Sequence, residues 1–313
     1  MTTDNTPSVH PNAARIMDLR AHLVESSTLH SDQKTDLIEQ MVELNAAADI
    51  TINLDGLMLD LVNLTGMDLR HFSFRGTSLL GASLERARLG GVDLTGADLT
   101  KASCREARMA AAKLAGASLS RAIFDGADLS SSNLRNITAP EVSFQRAMMI
   151  RADLTGATAP DANFSNALLM NSTLNNVTMP GAVFASADIM NAKMLGARLP
   201  YASFHLANLD SADLTRADLT RANISQAIFR RTLCVSTVLQ QSRATTTNFE
   251  RADLTGADLT GADLTGVNMT GSTLRNTPVD QTDRRRATVL AATPTQSQLP
   301  TSDAFRHDTS PTR

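Results

Sequence analysis

The sequence predicts an all-β solenoid, in which short strands joined by sharp corners coil into one elongated unit over residues 52–276. Two periods in the sequence support this prediction. A Leu, Phe, Met, Ile, Cys or Ala stands at every fifth position from Leu54 to Leu274, through 45 blocks without a slip. Prolines and phenylalanines then recur every 20 residues, or four blocks. Internal repeats of fixed period indicate a repeat architecture rather than an ordinary globular core.

Each five-residue block has the pattern of a short strand followed by a corner. The clearest stretch reads ADLTGADLTGADLTG from Ala252 to Gly266. The small first residue and the large third residue of a block point to one side of a strand, and the polar residue between them points to the other. The last residue is Gly in 15 blocks and Asn in six, and both tolerate a tight corner. A helix is excluded, because five residues turn roughly 500° about a helix axis and leave no continuous apolar face.

The 20-residue period sets the size of one turn. Residues 20 apart stack if four blocks close a turn, and the coil then has four faces. Proline cannot donate to a ladder of hydrogen bonds and should stand at a corner, whereas stacked aromatic rings stabilise parallel strands in register. The 45 blocks give about 11 coils and a rod roughly 50 Å long. The proline ladder consists of Pro140, Pro160, Pro180 and Pro200, and the phenylalanine ladder of Phe124, Phe144, Phe164, Phe184 and Phe204.

The repeated A-D-L-T-G motif resembles the pentapeptide-repeat family, whose consensus is A-(D/N)-L-x-x. The resemblance covers residues 52–276 and implies a right-handed quadrilateral parallel β-helix; the period alone implies coiling but no handedness. The family is functionally mixed. One branch protects DNA gyrase or related topoisomerases by imitating DNA, and another comprises effectors delivered into host cells by type III secretion.

The segments that flank the repeat differ from it in composition. Residues 12–51 are predicted to form a helical hairpin that covers the open first coil, since an uncovered coil end is an exposed strand edge; a partner- or chaperone-binding segment is the alternative. Residues 1–11 and the Pro-, Thr- and Ser-rich residues 277–313 are predicted to be disordered. Ser31 is the expected N-cap of the second helix. The apolar positions at helical spacing are Ile16, Leu19, Leu23, Leu37, Met41, Val42 and Leu44.

No arrangement of residues indicates a catalytic, cofactor-binding or metal site, and we expect no enzyme activity. The two cysteines, Cys104 and Cys234, occupy the central apolar column and should be buried. An enzyme would need its chemistry in residues 1–51, which carry no recognisable motif. The Asp residues of the A-D-L blocks are either solvent-facing consensus residues or a stripe that binds cations. They are Asp93, Asp98, Asp213, Asp218, Asp253, Asp258 and Asp263.

Charge and hydropathy indicate which class of partner and which cellular location to expect. The repeat carries 20 acidic and 21 basic residues, so no broad basic surface for nucleic acid is expected. No apolar run is long enough to span a membrane, and the first residues lack a signal-peptide core. We therefore expect a bacterial cytoplasmic location, or delivery into a host cell by a specialised secretion machine.

Several solvent-facing positions of the repeat carry apolar residues where polar ones are expected. The apolar patch consists of Met148, Ile150, Leu168, Met170 and Met190, and Arg146 and Arg151 are expected to rim it. Contiguous exposed apolar surface is typical of protein contacts, and Met and Arg are favoured at interfaces. Tolerance in a drifting repeat, or cover by a terminal segment, is the alternative. A second apolar cluster comprises Ile228, Leu233, Val235 and Val238.

The sequence thus favours a non-enzymatic interaction scaffold, with an effector that docks a host protein as its specific form. The partner's identity and the oligomeric state stay open. The alternative is a topoisomerase protector that mimics DNA. A mimic should be strongly acidic along its faces, whereas the net charge of this repeat is close to zero.

Overall fold

The computed structural model describes residues 11–25 and 28–288, together with the backbone of residues 293–294. The predicted disordered residues 1–10, and the predicted disorder of residues 289–292 and 295–313, lie outside the described residues. Within the described part, no helix is long and apolar enough to cross a membrane. The helices are α1 (Pro11–Glu25) and α2 (Ser31–Ala48), and the two-residue strands are β1 (Ile52–Asn53), β2 (Phe72–Ser73), β3 (Thr273–Leu274) and β4 (Thr293–Pro294).

The chain from β1 onward forms a coil with a turn of 20 residues. Strand β1 pairs in parallel with β2, and Ile52 lies opposite Phe72. Single parallel bridges repeat the same offset along the rod, as between Met58 and Ser78. Each bridge joins the second residues, most of them polar, of two blocks 20 residues apart. The turn that the proline and phenylalanine periods predict is therefore the turn that the structure has.

A left-handed backbone conformation makes the corners; from Gly56 to Asn276, the last residue of every block except His71 has positive φ. Gly91 has a φ of 72°, and many corners carry residues with a Cβ, such as Asn136 (56°) and Tyr201 (62°). This conformation costs roughly 1–2 kcal/mol for a residue other than glycine. Four corners per turn give the coil four faces, numbered here in chain order from the face that holds the phenylalanine ladder.

The interior is filled by the central apolar residue of each block. The central side chains from Leu54 to Met269 are at most 4% exposed, and Leu274 is 6% exposed. On face 1 the rings of the phenylalanine ladder stack, with centroids 4.7 Å apart between Phe164 and Phe184 and 4.8 Å apart between Phe184 and Phe204. These separations are the distance between successive coils. A fully buried Phe or Leu contributes about 1.5–3 kcal/mol.

Each backbone N–H group of a typical block has its own type of acceptor. The N–H of Ala102 donates within the corner to Leu99 O at 2.9 Å, and that of Cys104 donates to the following coil, to Ile123 O at 2.7 Å. The N–H groups of the second and last residues also donate to neighbouring coils, as Ser103 N–H does to Ala82 O at 2.9 Å and Glu106 N–H to Asp125 O at 3.0 Å. The fifth N–H group is that of the residue after the central one. It donates to a side chain in many blocks, as Thr100 N–H does to Asp98 Oδ1 at 2.9 Å. Buried or half-buried backbone groups need such partners, and the aspartate of the repeat supplies one.

The proline ladder occupies the positions where this last N–H group would need an aspartate. It lies at the end of face 4, next to a corner, and its carbonyls accept hydrogen bonds from the preceding coil, as Pro140 O does from Arg121 N–H at 2.9 Å. Because proline has no N–H group, the residue two positions earlier needs no carboxylate. These earlier residues are Thr138, Thr158, Thr178 and Arg198.

The two helices lie against the first coil. Ile16 and Ile38 are buried in the same apolar cluster as the coil interior. Polar side chains of the helices also take the place of a missing preceding coil. Lys34 Nζ donates to Met58 O at 2.8 Å, Arg20 Nε donates to Asn53 O, and Thr35 Oγ1 accepts from Asn63 N–H at 3.0 Å.

Two details differ from the sequence prediction. The N-cap of α2 is His30 rather than Ser31, and the Gln33 side chain accepts from the His30 backbone N–H at 3.0 Å. The coil also continues beyond residue 276, since Asp263 pairs with Asp283 and β3 with β4. The five-residue phase persists there although the central position carries Arg284, so the boundary predicted from apolar centres alone was too early.

Candidate functional site

The apolar patch lies on face 2, across three successive coils. Met148 and Leu168 are directly bridged neighbours in one ladder. Asp128 lies below them and Asp188 above them in the same ladder. These four positions are equivalent, so two apolar residues stand where the flanking coils carry carboxylates.

Ile150, Met170 and Met190 form a second row on the same face, two residues farther along each block. Backbone hydrogen bonds fix their stacking: Arg151 N–H donates to Met170 O at 3.0 Å and Asn171 N–H to Met190 O at 2.9 Å. Met148 is 39% exposed, and the other four patch residues are half-buried. The five predicted residues are therefore brought together as two parallel rows.

Arg146 and Arg151 stand at the two corners that bound face 2 in the first coil of the patch. Both backbones have positive φ, 57° and 61°, and both side chains are exposed. Within residues 28–288, neither guanidinium makes an ion pair or a side-chain hydrogen bond. Other corner arginines are paired, for example Arg121 with Glu141 at 2.9 Å. The two rim guanidinium groups are thus exposed and have no ion-pair partner among the described residues.

A buried ion cluster bounds the other end of the patch. Asp210 follows Met190 in the second row, and its side chain is 12% exposed. Its carboxylate accepts from Arg231 Nη2 at 2.8 Å and pairs with Arg230 at 3.3 Å. Burial raises the pKa of Asp210, but hydrogen bonds from Arg231 and Ser211 outweigh it, and the pKa lies below its ordinary value. This end of face 2 is therefore rigid and satisfied internally.

The consensus aspartates serve the backbone. In all seven A-D-L blocks singled out above, the carboxylate accepts the N–H of the residue two positions later, at 2.9–3.0 Å. Among the described residues, no group of three His, Cys, Asp or Glu side chains is arranged to hold a metal ion. These hydrogen bonds explain the repeated aspartates, which stabilise the corners.

The remaining reactive side chains show no grouping for catalysis in the described chain. Cys104 and Cys234 are free and buried, and burial raises the pKa of both thiols, which disfavours the reactive thiolate. His205 Nδ1 lies 3.0 Å from Ser225 Oγ, without a neighbouring carboxylate to complete a relay.

Sequence reasoning missed three exposed apolar side chains at corners. Leu61 is 66% exposed, Tyr201 59% and Leu206 50%, and all three have positive φ. The signal was present, since a large apolar residue at the last position of a block must point outward. The second predicted cluster does not form a single surface: Ile228 lies on face 2, Leu233 and Val235 on face 3, and Val238 on face 4 of one coil.

Comparisons with known proteins agree with this geometry. The family described as Pentapeptide repeats matches in eight copies, over residues 59–96, 102–138, 141–176, 197–233 and 234–277. No curated protein matches the chain. One solved structure that it resembles is HetL, a pentapeptide repeat protein involved in heterocyst differentiation regulation from the cyanobacterium Nostoc sp. strain PCC 7120. The identity is 24% and the TM-score 0.31, over 80% of this chain and 95% of HetL.

Two further solved structures give similar results. Rfr23, a pentapeptide repeat protein from the cyanobacterium Cyanothece 51142, is 23% identical with a TM-score of 0.19, over 34% of this chain and 63% of Rfr23. QnrB1, a plasmid-mediated fluoroquinolone resistance protein, is 18% identical with a TM-score of 0.29, over 68% of this chain and 89% of QnrB1. The family match covers more than half of the chain, and no enzyme family is indicated. The chain belongs to the pentapeptide repeat family, whose fold is a right-handed β-helix.

Proposed function

We propose that this protein is a non-enzymatic scaffold that docks another protein through the apolar patch on face 2. One observation carries the proposal: five apolar side chains at solvent-facing positions form two adjacent rows across three coils. Contiguous apolar surface on a soluble protein is a common mark of a protein contact.

The patch is not explained by the needs of the fold. At the position of Met148 and Leu168, the coils on either side use an aspartate to accept the N–H two residues later: Asp128 from Ser130 at 3.0 Å and Asp188 from Met190 at 3.2 Å. Met148 and Leu168 have no side-chain oxygen for this bond. A missing bond of this kind costs about 0.5–1.5 kcal/mol. Met148 and Leu168 therefore lower the local stability of the coil and expose apolar surface. Contact with a partner would offset both costs.

The test is crosslinking mass spectrometry in the native cell with a double variant, Met170→Asp with Met190→Asp. A matched control carries Thr158→Asp with Thr178→Asp on face 4, at nearly the same height along the rod as Met170 and Met190. Circular dichroism should show that both variants keep the β-helix. We expect the face 2 variant to lose a partner that the control retains. Retention of every partner by the folded face 2 variant would refute the docking role.

The finer form of the proposal is a bacterial effector that docks a host protein. It is supported by the resemblance to a family with a secreted branch and by the docking patch. A reporter fusion, with translocation measured in infected cells that carry or lack the secretion machine, tests delivery. Absence of the reporter from host cells in both cases would leave a scaffold that acts in the bacterial cytoplasm.

A further inference from the structure

We infer that the partner presents an amphipathic α-helix to the apolar patch, aligned with the rod and with acidic residues at the end near Arg146 and Arg151. This inference rests on the proposed docking function and specifies the chemistry of the partner. It follows from the spacing of the patch rows and from the charges at the two ends of the patch.

The spacing of the rows matches a helix better than a strand. Paired strands of successive coils lie about 4.8 Å apart, and the rings of Phe144, Phe164 and Phe184 in the patch coils stack at 5.1 and 4.7 Å. Apolar residues on one face of a helix recur once per turn, about every 5.4 Å along its axis, so three levels accumulate a mismatch of only about 1.2 Å. In an extended strand the same side recurs about every 6.6 Å, and the mismatch over three levels is about three times larger.

The arrangement of the two rows also suits contact with a helix. Met148 and Leu168 stand in one row and Ile150, Met170 and Met190 in the other, while the central residues between the rows point into the rod. The two rows therefore stand side by side along the rod, and Asp188 occupies the third level of the first row. A helix that lies along the rod contacts both rows with positions i, i+3, i+4 and i+7. Three coils require about ten helical residues.

The charges give the helix a direction. Arg146 and Arg151 flank the first coil of the patch and make no ion pair within the described residues. At the opposite end, Asp188 lies within the patch coil and accepts from Met190 N–H at 3.2 Å, and Asp210 is held by Arg230 and Arg231. The first end therefore carries two arginines against the single carboxylate of Asp128, whereas the charges at the opposite end balance. An acidic helix end is attracted to the arginine pair, and a basic one is repelled.

The experiment is a selection of random 16-residue peptides displayed on phage against the full-length protein, with counter-selection on the Met170→Asp/Met190→Asp variant. We expect enriched peptides to carry apolar residues at helical spacing and Asp or Glu toward one end. Fluorescence polarisation with the best synthetic peptide then measures the charge effect. The Arg146→Glu/Arg151→Glu variant should bind it about tenfold more weakly, as expected for two lost rim pairs. It should bind a peptide with Lys in place of the acidic residues more tightly than the unaltered protein does.

The control variant is Arg198→Glu with Arg216→Glu, which reverses two exposed charges away from face 2 and should leave the affinity unchanged. Enriched peptides that depend on the patch but show two-residue alternation, or no acidic end, would overturn the helix inference while leaving the docking function intact. Failure to enrich any peptide that distinguishes the unaltered protein from the Met170→Asp/Met190→Asp variant would overturn both.

Discussion

Asp98 accepts a hydrogen bond from the backbone N–H of Thr100, with 2.9 Å between Oδ1 and N. Two coils farther along the same face, the equivalent residues are Thr138 and Pro140, and no such bond is needed because Pro140 has no N–H group. The aspartate column and the proline ladder are thus two solutions to one requirement at the end of each short strand. This relation explains why proline in this chain does not follow aspartate at that spacing.

A double-mutant cycle tests this relation. Asp98→Ala should lower the free energy of unfolding by about 1 kcal/mol, since it leaves the Thr100 N–H without its acceptor. In a Thr100→Pro background the same change should cost much less, because the N–H group is gone. Urea unfolding followed by circular dichroism measures both. Equal costs of Asp98→Ala in the two backgrounds would show that the carboxylate acts in another way.

The phenylalanine ladder should be a main source of stability. Phe164 stacks on Phe144 at 5.1 Å and on Phe184 at 4.7 Å between ring centroids. Phe164→Ala should cost about 3–5 kcal/mol, because it removes a fully buried ring and leaves a cavity between two others. Phe164→Leu should cost clearly less, since leucine fills the central position of most blocks. A cost below about 1 kcal/mol for the alanine variant would contradict a close-packed interior.

Acid should destabilise the protein through its aspartates. Hydrogen bonds from Thr95 outweigh the effect of burial on Asp93, and those from Arg231 outweigh it on Asp210, so both pKa values lie below the ordinary range. A carboxyl group with a lowered folded-state pKa contributes stability that is complete above its unfolded pKa, about 3.9, and is lost as the pH falls through the folded value. The urea midpoint should therefore fall from pH 6 to pH 3. It should fall less in Asp210→Asn, and an identical fall would exclude Asp210 as a contributor.

The helical hairpin should stabilise the first coil through specific hydrogen bonds. Thr35 Oγ1 accepts from Asn63 N–H at 3.0 Å, which replaces the acceptor that a preceding coil would provide. Thr35→Val keeps the shape and removes the acceptor, and should cost about 1–2 kcal/mol. Thr100→Val is the matched control, because the Thr100 backbone N–H donates to Asp98 while its side chain makes no hydrogen bond within the described residues. Equal, small costs would indicate that the hairpin acts by apolar packing alone.

The sequence predicted the coil, its 20-residue turn and both ladders, because a solenoid repeats one local solution and each repeat adds to the same signal. It missed the role of the aspartates. Whether Asp98 faces solvent freely or binds Thr100 N–H depends on a side-chain conformation that no spacing reveals. It also placed the end of the coil at residue 276, because Arg284 interrupts the apolar column while the backbone pairing continues.

The position of the candidate site was predictable from the sequence, but the exposure and ion pairing of its side chains were not. Residues 20 apart had to stack, so Met148 and Leu168 were expected to meet, and they do. Their exposure was less predictable: Met148 is 39% exposed, whereas Leu168 is half-buried by its neighbours. Whether Arg146 and Arg151 form ion pairs depends on whether their long side chains reach a carboxylate. Residue spacing does not predict such contacts between side chains at different corners.

The docking role of the apolar patch is tested most directly by site-specific photo-crosslinking in the native cell. A photoreactive phenylalanine analogue is placed at Leu168 on face 2, or at Thr158 on face 4, at nearly the same level of the rod. We predict a discrete crosslinked protein from position 168 that is absent from position 158. It should disappear when Met170→Asp and Met190→Asp are added. A partner that crosslinks from position 158 and not from 168, or equally from both, would contradict the assignment of face 2 as the docking surface.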